Sequence, residues 1–169
     1  MEYGLYSRVK EKGTRSLVIW RKGFLMKIII AEKPSVGRTY AQVLGVHNKE
    51  DGYMESDEWI VTWSVGHLVT LCYPEDYDPE LKHWSMDTLP FLPETYHYRV
   101  IDDVRKQFEI VKKLYHRDDV SAIYYAGDSG REGLYIQMLI RAQAGTKAGI
   151  EEKVVWIDTH TDEEVLRGI

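Results

Sequence analysis

Two short runs of strand-forming residues, KIIIA at 27–31 and AIYYA at 122–126, each lead directly into a charged loop and then a helical pattern. Neither run alternates with polar residues, which is the signature of strands buried on both faces. A sheet of such strands needs helices on both sides, and the remaining pattern supplies them. PSVGRTYAQVLG (34–45) places Val36, Tyr40, Val43 and Leu44 at helical spacing, with Gly45 as the C-cap. The stretch 52–66 reads as a hairpin turning at Ser56 to Glu58. In 102–117, Val104, Phe108, Val111, Leu114 and Tyr115 form one apolar stripe, with Asp102 or Asp103 as cap. A helix from about Glu132 to Ala142, a strand KVVWI (153–157) and a helix capped by Thr161 and Glu164 complete the chain. The order β-α-β-β-α-β-α-β-α predicts an α/β fold with a mainly parallel sheet.

Between Tyr73 and Tyr98 lie four of the five prolines and many aromatics, which predicts a long, largely irregular surface excursion. Residues 1–25 show no clean period and are read as an extension outside the fold, with an extra strand around SLVIW as the alternative. That segment carries Arg8, Lys10, Lys12, Arg15, Arg21 and Lys22 against Glu2 and Glu11, a net +4. The remaining 16 basic and 25 acidic residues give 26–169 a net charge of −9. So acidic a domain is no stand-alone DNA binder, because affinity for duplex comes mainly from basic groups meeting phosphates. The one cysteine, Cys72, cannot form an internal disulfide and fits a reducing cytoplasm. No apolar run is long enough for a membrane span.

In open parallel sheets the working residues collect at the carboxyl ends of strands. Glu32 follows the first strand and Asp128 follows the strand at 122–126. If the two strands are neighbours, their carboxylates converge, and hard oxygen donors of this kind suit Mg²⁺. Gly127, Gly130 and Gly133 let the backbone turn tightly, and the next helix aims its N-terminal dipole at an anion. Lys33 and Arg131 are placed to contact a phosphate. Plainer roles stand beside these: Asp128 as a turn residue, Glu132 as a first-turn acid answering the helix dipole. Gly133 is the most telling position, since glycine in a first helical turn is costly unless something packs close.

IIIAEKPSVGRTYAQVLG, VTWSVGHLVTL, YDPELKHW, LPETYHY and YAGDSGREGLYI together resemble the Toprim domain of type IA DNA topoisomerases, most nearly the bacterial topoisomerase III branch. The resemblance runs from about Met26 to the end and implies a Rossmann-like α/β Toprim fold for 26–169, as the N-terminal fragment of a longer topoisomerase. It implies catalytic roles for Glu32, Lys33 and Arg131, with Glu32 beside the scissile phosphate assisting proton transfer. Asp128, Glu132 and Glu32 would hold Mg²⁺, with Mn²⁺ as a substitute. Lys33, Arg131 and His67 would contact DNA phosphate; a strand-end histidine bonded within the core is the equal alternative for His67. Such an enzyme breaks and rejoins single DNA strands through a phosphotyrosine link without ATP. None of the 12 tyrosines falls in a matching motif, so the nucleophile would lie in the remaining domains. The implied partners are single-stranded DNA and those domains, with no membrane and a cytoplasmic location.

One departure bears on the metal. The family pattern Asp-x-Asp-x-x-Gly has Gly130 at its second aspartate, so one ligand is missing unless a water or neighbouring carboxylate stands in. The alternatives are a Toprim nuclease or primase-type domain, or a non-catalytic module that binds phosphates or a partner. A dinucleotide cofactor is disfavoured, because no G-x-G-x-x-G opens the first helix.

Overall fold

The computed structural model describes residues 25–169; the expectations for residues 1–24 fall outside it. Four strands run parallel: β1 (Met26–Ala31), β4 (Trp59–Trp63), β7 (Val120–Ala126) and β8 (Glu151–Val154). Two short strands, β2 (Asn48–Glu50) and β3 (Tyr53–Glu55), extend the sheet antiparallel beyond β4. The order across the sheet is β2-β3-β4-β1-β7-β8, so β1 sits between β4 and β7. Its side chains alternate between two cores. Ile28 and Ile30 face α3 (Arg105–Tyr115) and α4 (Arg131–Ala144), while Ile29 and Ala31 face α1 (Pro34–Val43) and α5 (Asp162–Gly168). All four are fully buried, and each isoleucine contributes about 2 kcal/mol through that burial. The expected Toprim-type α/β architecture, with helices on both faces of a mainly parallel sheet, is the one observed.

The α3 stripe packs as the spacing predicts, with Phe108, Val111, Leu114 and Tyr115 buried. Gly45 takes a positive φ of 67° just past the end of α1, a conformation that glycine enters freely. Thr161 accepts from the Glu164 amide and caps α5.

Three local expectations are corrected. Neither Asp102 nor Asp103 caps α3; both lie in a 3₁₀ turn before it, and the Asp102 carboxylate is drawn instead to Arg105 at 2.7 Å. The last strand is Glu151–Val154 rather than 153–157, because the ladder to β7 ends at the Tyr125–Val154 pair while Val155 and Ile157 continue into the core. The 73–98 excursion is less irregular than expected. It holds the short helix α2 (Pro74–Tyr77) and a 3₁₀ turn at Pro79–Lys82. A two-stranded sheet of β5 (Val69–Leu71) and β6 (Tyr98–Val100) closes its base. Its outer surface exposes Trp84, Met86 and Leu92 near a cavity of about 310 Å³ lined by Pro74, Leu81, Trp84, Leu89 and Phe91.

At the β8 edge, Glu152 accepts both Arg141 N–H groups at 2.9 and 3.0 Å, the Tyr125 hydroxyl at 2.7 Å and the Thr146 hydroxyl at 3.1 Å. The Arg141 hydrogen bonds are the main cause that pulls the Glu152 carboxyl down from 4.5 to about 2. A carboxyl depressed in the folded state stabilises fully above its unfolded pKa, and that contribution is lost as pH falls through the folded value. Stability tied to Glu152 is therefore expected to fade between about pH 4.5 and pH 2. Thermal melts of Glu152→Gln should show a flatter acid limb than the parent in that window, and parallel limbs would refute the assignment.

Candidate functional site

Parallel register brings the carboxyl ends of β1, β4 and β7 to one line, with Ala31 opposite both Trp63 and Ala126. The residues just beyond these ends, Glu32, Ser64 and the Gly127–Asp128 pair, share one edge of the sheet. Convergence of Glu32 with Asp128, expected if their strands were neighbours, is realised directly. Glu32 Oε2 accepts from the Asp128 amide at 2.9 Å across 96 positions of sequence. Ser64, which the sequence reading passed over, fixes the turn on the other side. Its amide donates to the Ala31 carbonyl at 2.8 Å and its hydroxyl to the Glu32 carbonyl at 2.8 Å. Glu32 is thus held at its backbone and its carboxylate at once.

The acidic loop folds tightly onto the start of α4. A Cβ on Gly133 would stand 2.4 Å from the Asp128 carbonyl oxygen and 2.8 Å from its amide nitrogen. The close approach expected from a glycine in the first helical turn is therefore present. Beneath the loop, a Cβ on Gly127 would meet the Gly133 carbonyl at 2.8 Å and Gln137 Cγ at 3.3 Å. Gly130 is different: its φ of 176° is extended backbone and its Cβ position faces open space.

Glu132 meets His67, whose Nε2 lies 2.8 Å from Glu132 Oε1. His67 precedes β5, so the small hairpin delivers this ring to α4, where it also packs edge-on against Tyr135 with centroids 6.4 Å apart. The histidine is half-buried and bonded to a carboxylate of the site rather than within the core. Lys33 and Arg131 are exposed beside Glu32 and Asp128. Among the described residues none of Glu32, Lys33, Asp128 or Arg131 makes an ion pair within 4.0 Å. Two acids and two bases thus stand at one sheet edge with no ion-pair partner among the described residues.

Glu32, Asp128 and Glu132 are hard oxygen donors of the kind that suits Mg²⁺. Yet among the described residues no three His, Cys, Asp or Glu side chains come close enough together to hold a metal ion. Glu32 is engaged by the loop amide and Glu132 by His67. One further carboxylate enters from β8. Asp158 Oδ1 accepts from the Ser129 hydroxyl at 2.7 Å. Asp158 stands farther from its strand than Glu32 or Asp128, because β8 ends at Val154 and the chain runs on extended before reaching it.

Residues 27–157 match the Toprim domain family. This chain belongs to that family. Over 141 residues this Toprim chain is 44% identical to DNA topoisomerase 3 of Bacillus subtilis, a match that covers 83% of the chain and 19% of the relative. DNA topoisomerase 3 of Staphylococcus epidermidis is 41% identical over 144 residues, 85% of this chain and 20% of the relative. That of Shouchella clausii is 41% identical over 142 residues. The chain spans about a fifth of the length of these relatives. Among the described residues no helix is long and apolar enough to cross a membrane.

Proposed function

We propose that this chain is the Mg²⁺-binding Toprim domain of a topoisomerase III-like enzyme. That enzyme would open and reseal single DNA strands through a transient phosphotyrosine link, with the tyrosine outside this chain. The observation that carries the reading is the pairing of Glu32 with the Asp128 loop beside Lys33 and Arg131, all four without counter-charges among the described residues. Carboxylates and bases with no ion-pair partner among the described residues remain available to ligands that bring charge of both signs: a cation for the carboxylates and a phosphate for the bases.

When bound, Mg²⁺ supplies positive charge next to a nucleic-acid phosphate; Asp128, Glu32 and Glu132 are the residues that would hold it. Glu32 offers one carboxylate oxygen to the Asp128 amide, and the other would serve the cation or take and return a proton at the reacting phosphate. Lys33 offers a compact point charge and Arg131 a fork of donors to phosphate oxygens. His67 orients Glu132 through their 2.8 Å contact, and in the phosphate-binding role it would exchange that contact for DNA. The net −9 of residues 26–169 leaves the wider grip on single-stranded DNA to other domains, which relatives more than four times as long have room for. The apolar surface around Trp84, Met86 and Leu92 supports contact with those domains, since patches of this kind mark interaction sites.

Calorimetric titration of Mg²⁺ and of Mn²⁺ into the chain tests the reading. Saturable binding is expected in the parent, absent in Asp128→Ala and tighter in Gly130→Asp, whose new side chain has open space to enter. Failure of both the parent and Gly130→Asp to take up either ion would overturn it. Metal-dependent nicking of plasmid by the chain alone would point instead to a Toprim nuclease.

A further inference from the structure

Asp158 is delivered to the acidic loop by a segment pinned on both sides. The Val155 amide donates to the Tyr125 carbonyl at 2.9 Å, extending the β7 contact one residue past β8. Val155 and Ile157 are buried while Trp156 and Asp158 face outward, the alternation of extended chain. α5 closes over this segment so tightly that a Cβ on Gly168 would stand 2.7 Å from Ile157 Cγ2 and 3.0 Å from Val155 Cγ1. Two residues past Asp158, His160 rests edge-on against the buried Tyr40 ring. The position of Asp158 is therefore set by the core, whereas Ser129, which it holds, lies in a loop between Asp128 and the Gly130 that opens α4. Among the described residues Asp158 makes no ion pair within 4.0 Å, so the Ser129 hydroxyl is its one side-chain partner there.

We propose that Asp158 is a positioning residue of the acidic loop: through Ser129 it fixes the direction in which Asp128 presents its carboxylate. This rests on the metal-binding reading above and deepens it. The loop is then clamped from two sides at once, with Glu32 gripping the Asp128 amide and Asp158 gripping the next side chain. A carboxylate held this way loses less freedom on taking up a cation, which is how residues outside the coordination sphere raise metal affinity.

Four variants of the full chain test it: Asp158→Ala, Asp158→Asn, Ser129→Ala and the Asp158→Ala/Ser129→Ala pair. Asp158→Asn keeps an oxygen that accepts from Ser129 and removes the charge, so it separates positioning from electrostatics. In Mg²⁺ calorimetry, Asp158→Ala and Ser129→Ala should each weaken binding roughly tenfold. The double variant should be no weaker than either single, and Asp158→Asn should match the parent. Hydrogen exchange of the 127–133 amides without metal gives a second readout. It should speed up roughly fivefold in Asp158→Ala and Ser129→Ala and stay unchanged in Asp158→Asn. Unchanged exchange in Asp158→Ala would overturn the proposal, as would losses that add in the double variant, or an Asp158→Asn that fails as badly as Asp158→Ala. If no variant and no parent binds Mg²⁺ while exchange follows the expected order, the metal reading fails and the clamp stands.

Discussion

Replacing Gly133 by alanine is expected to destabilise the protein by about 2–3 kcal/mol and to abolish the proposed cation binding. Helix propensity alone predicts the reverse, since alanine is favoured over glycine by about 1 kcal/mol in a helix. Steric contact decides the sign. The added methyl would lie 2.4 Å from the Asp128 carbonyl oxygen and 2.8 Å from its nitrogen, and both are backbone atoms that cannot rotate aside. The loop could retreat only by surrendering the hydrogen bond from the Asp128 amide to Glu32. Local damage therefore reaches the opposite strand end. Urea unfolding monitored by circular dichroism, paired with Mg²⁺ calorimetry, gives the answer. A Gly133→Ala protein as stable as the parent would show that the loop yields at no cost.

The second large effect lies away from the site. Arg117 forks onto Glu55 at 2.9 and 3.0 Å and onto Asp119 at 2.7 and 3.0 Å, and all three side chains are partly buried. It joins the end of α3 to β3 and to the start of β7. Exposed ion pairs contribute little, but a bidentate, half-buried network leaves two carboxylates facing each other when its cation is removed. Arg117→Met is expected to cost about 2 kcal/mol at neutral pH. The hydrogen bonds from Arg117 are the main cause that holds the Asp119 carboxyl below its ordinary value, against a smaller opposing effect of burial. Because that pKa is depressed on folding, the stabilisation is complete above the unfolded carboxylate value of about 4 and is lost as pH falls further. The gap between parent and Arg117→Met should thus be wide at pH 7 and narrow at pH 3. A gap independent of pH would mean that packing of the arginine stem, rather than its charge, is what counts. Lysine should not substitute, since a point charge cannot serve both carboxylates in fork geometry.

Which parts of this structure could be read in advance follows from how each is stabilised. β1 and β7 announce themselves because strands covered on both faces must be continuously apolar. β2 and β8 do not: Asn-Lys-Glu and Glu-Glu-Lys-Val are exposed edge segments whose strand character comes from the neighbouring ladder rather than from their own residues. The run Val155–Ile157 misled in the opposite direction, since its burial mimics a strand beyond the last ladder pair. At the site, Glu32, Lys33, Asp128 and Arg131 were legible because sheet topology sends the residues after parallel strands to one edge. The His67–Glu132 contact was not, as it depends on a three-residue hairpin pairing across the whole excursion. Asp102 was misassigned because a nearby arginine outcompetes the helix amides for its carboxylate.

The pairing of β5 with β6 also governs how a chain of this kind can change in length. Leu71 and Tyr98 face each other across that ladder, so the excursion leaves and re-enters the domain at one doorway. Whatever hangs outside that doorway can lengthen or shorten without displacing the strands that carry Glu32 and Asp128. The entropy of closing a loop grows only with the logarithm of its length, about 0.6 kcal/mol per doubling. In an engineer's terms, this is the splice point of the molecule, where new sequence can be hung while the working edge keeps its shape.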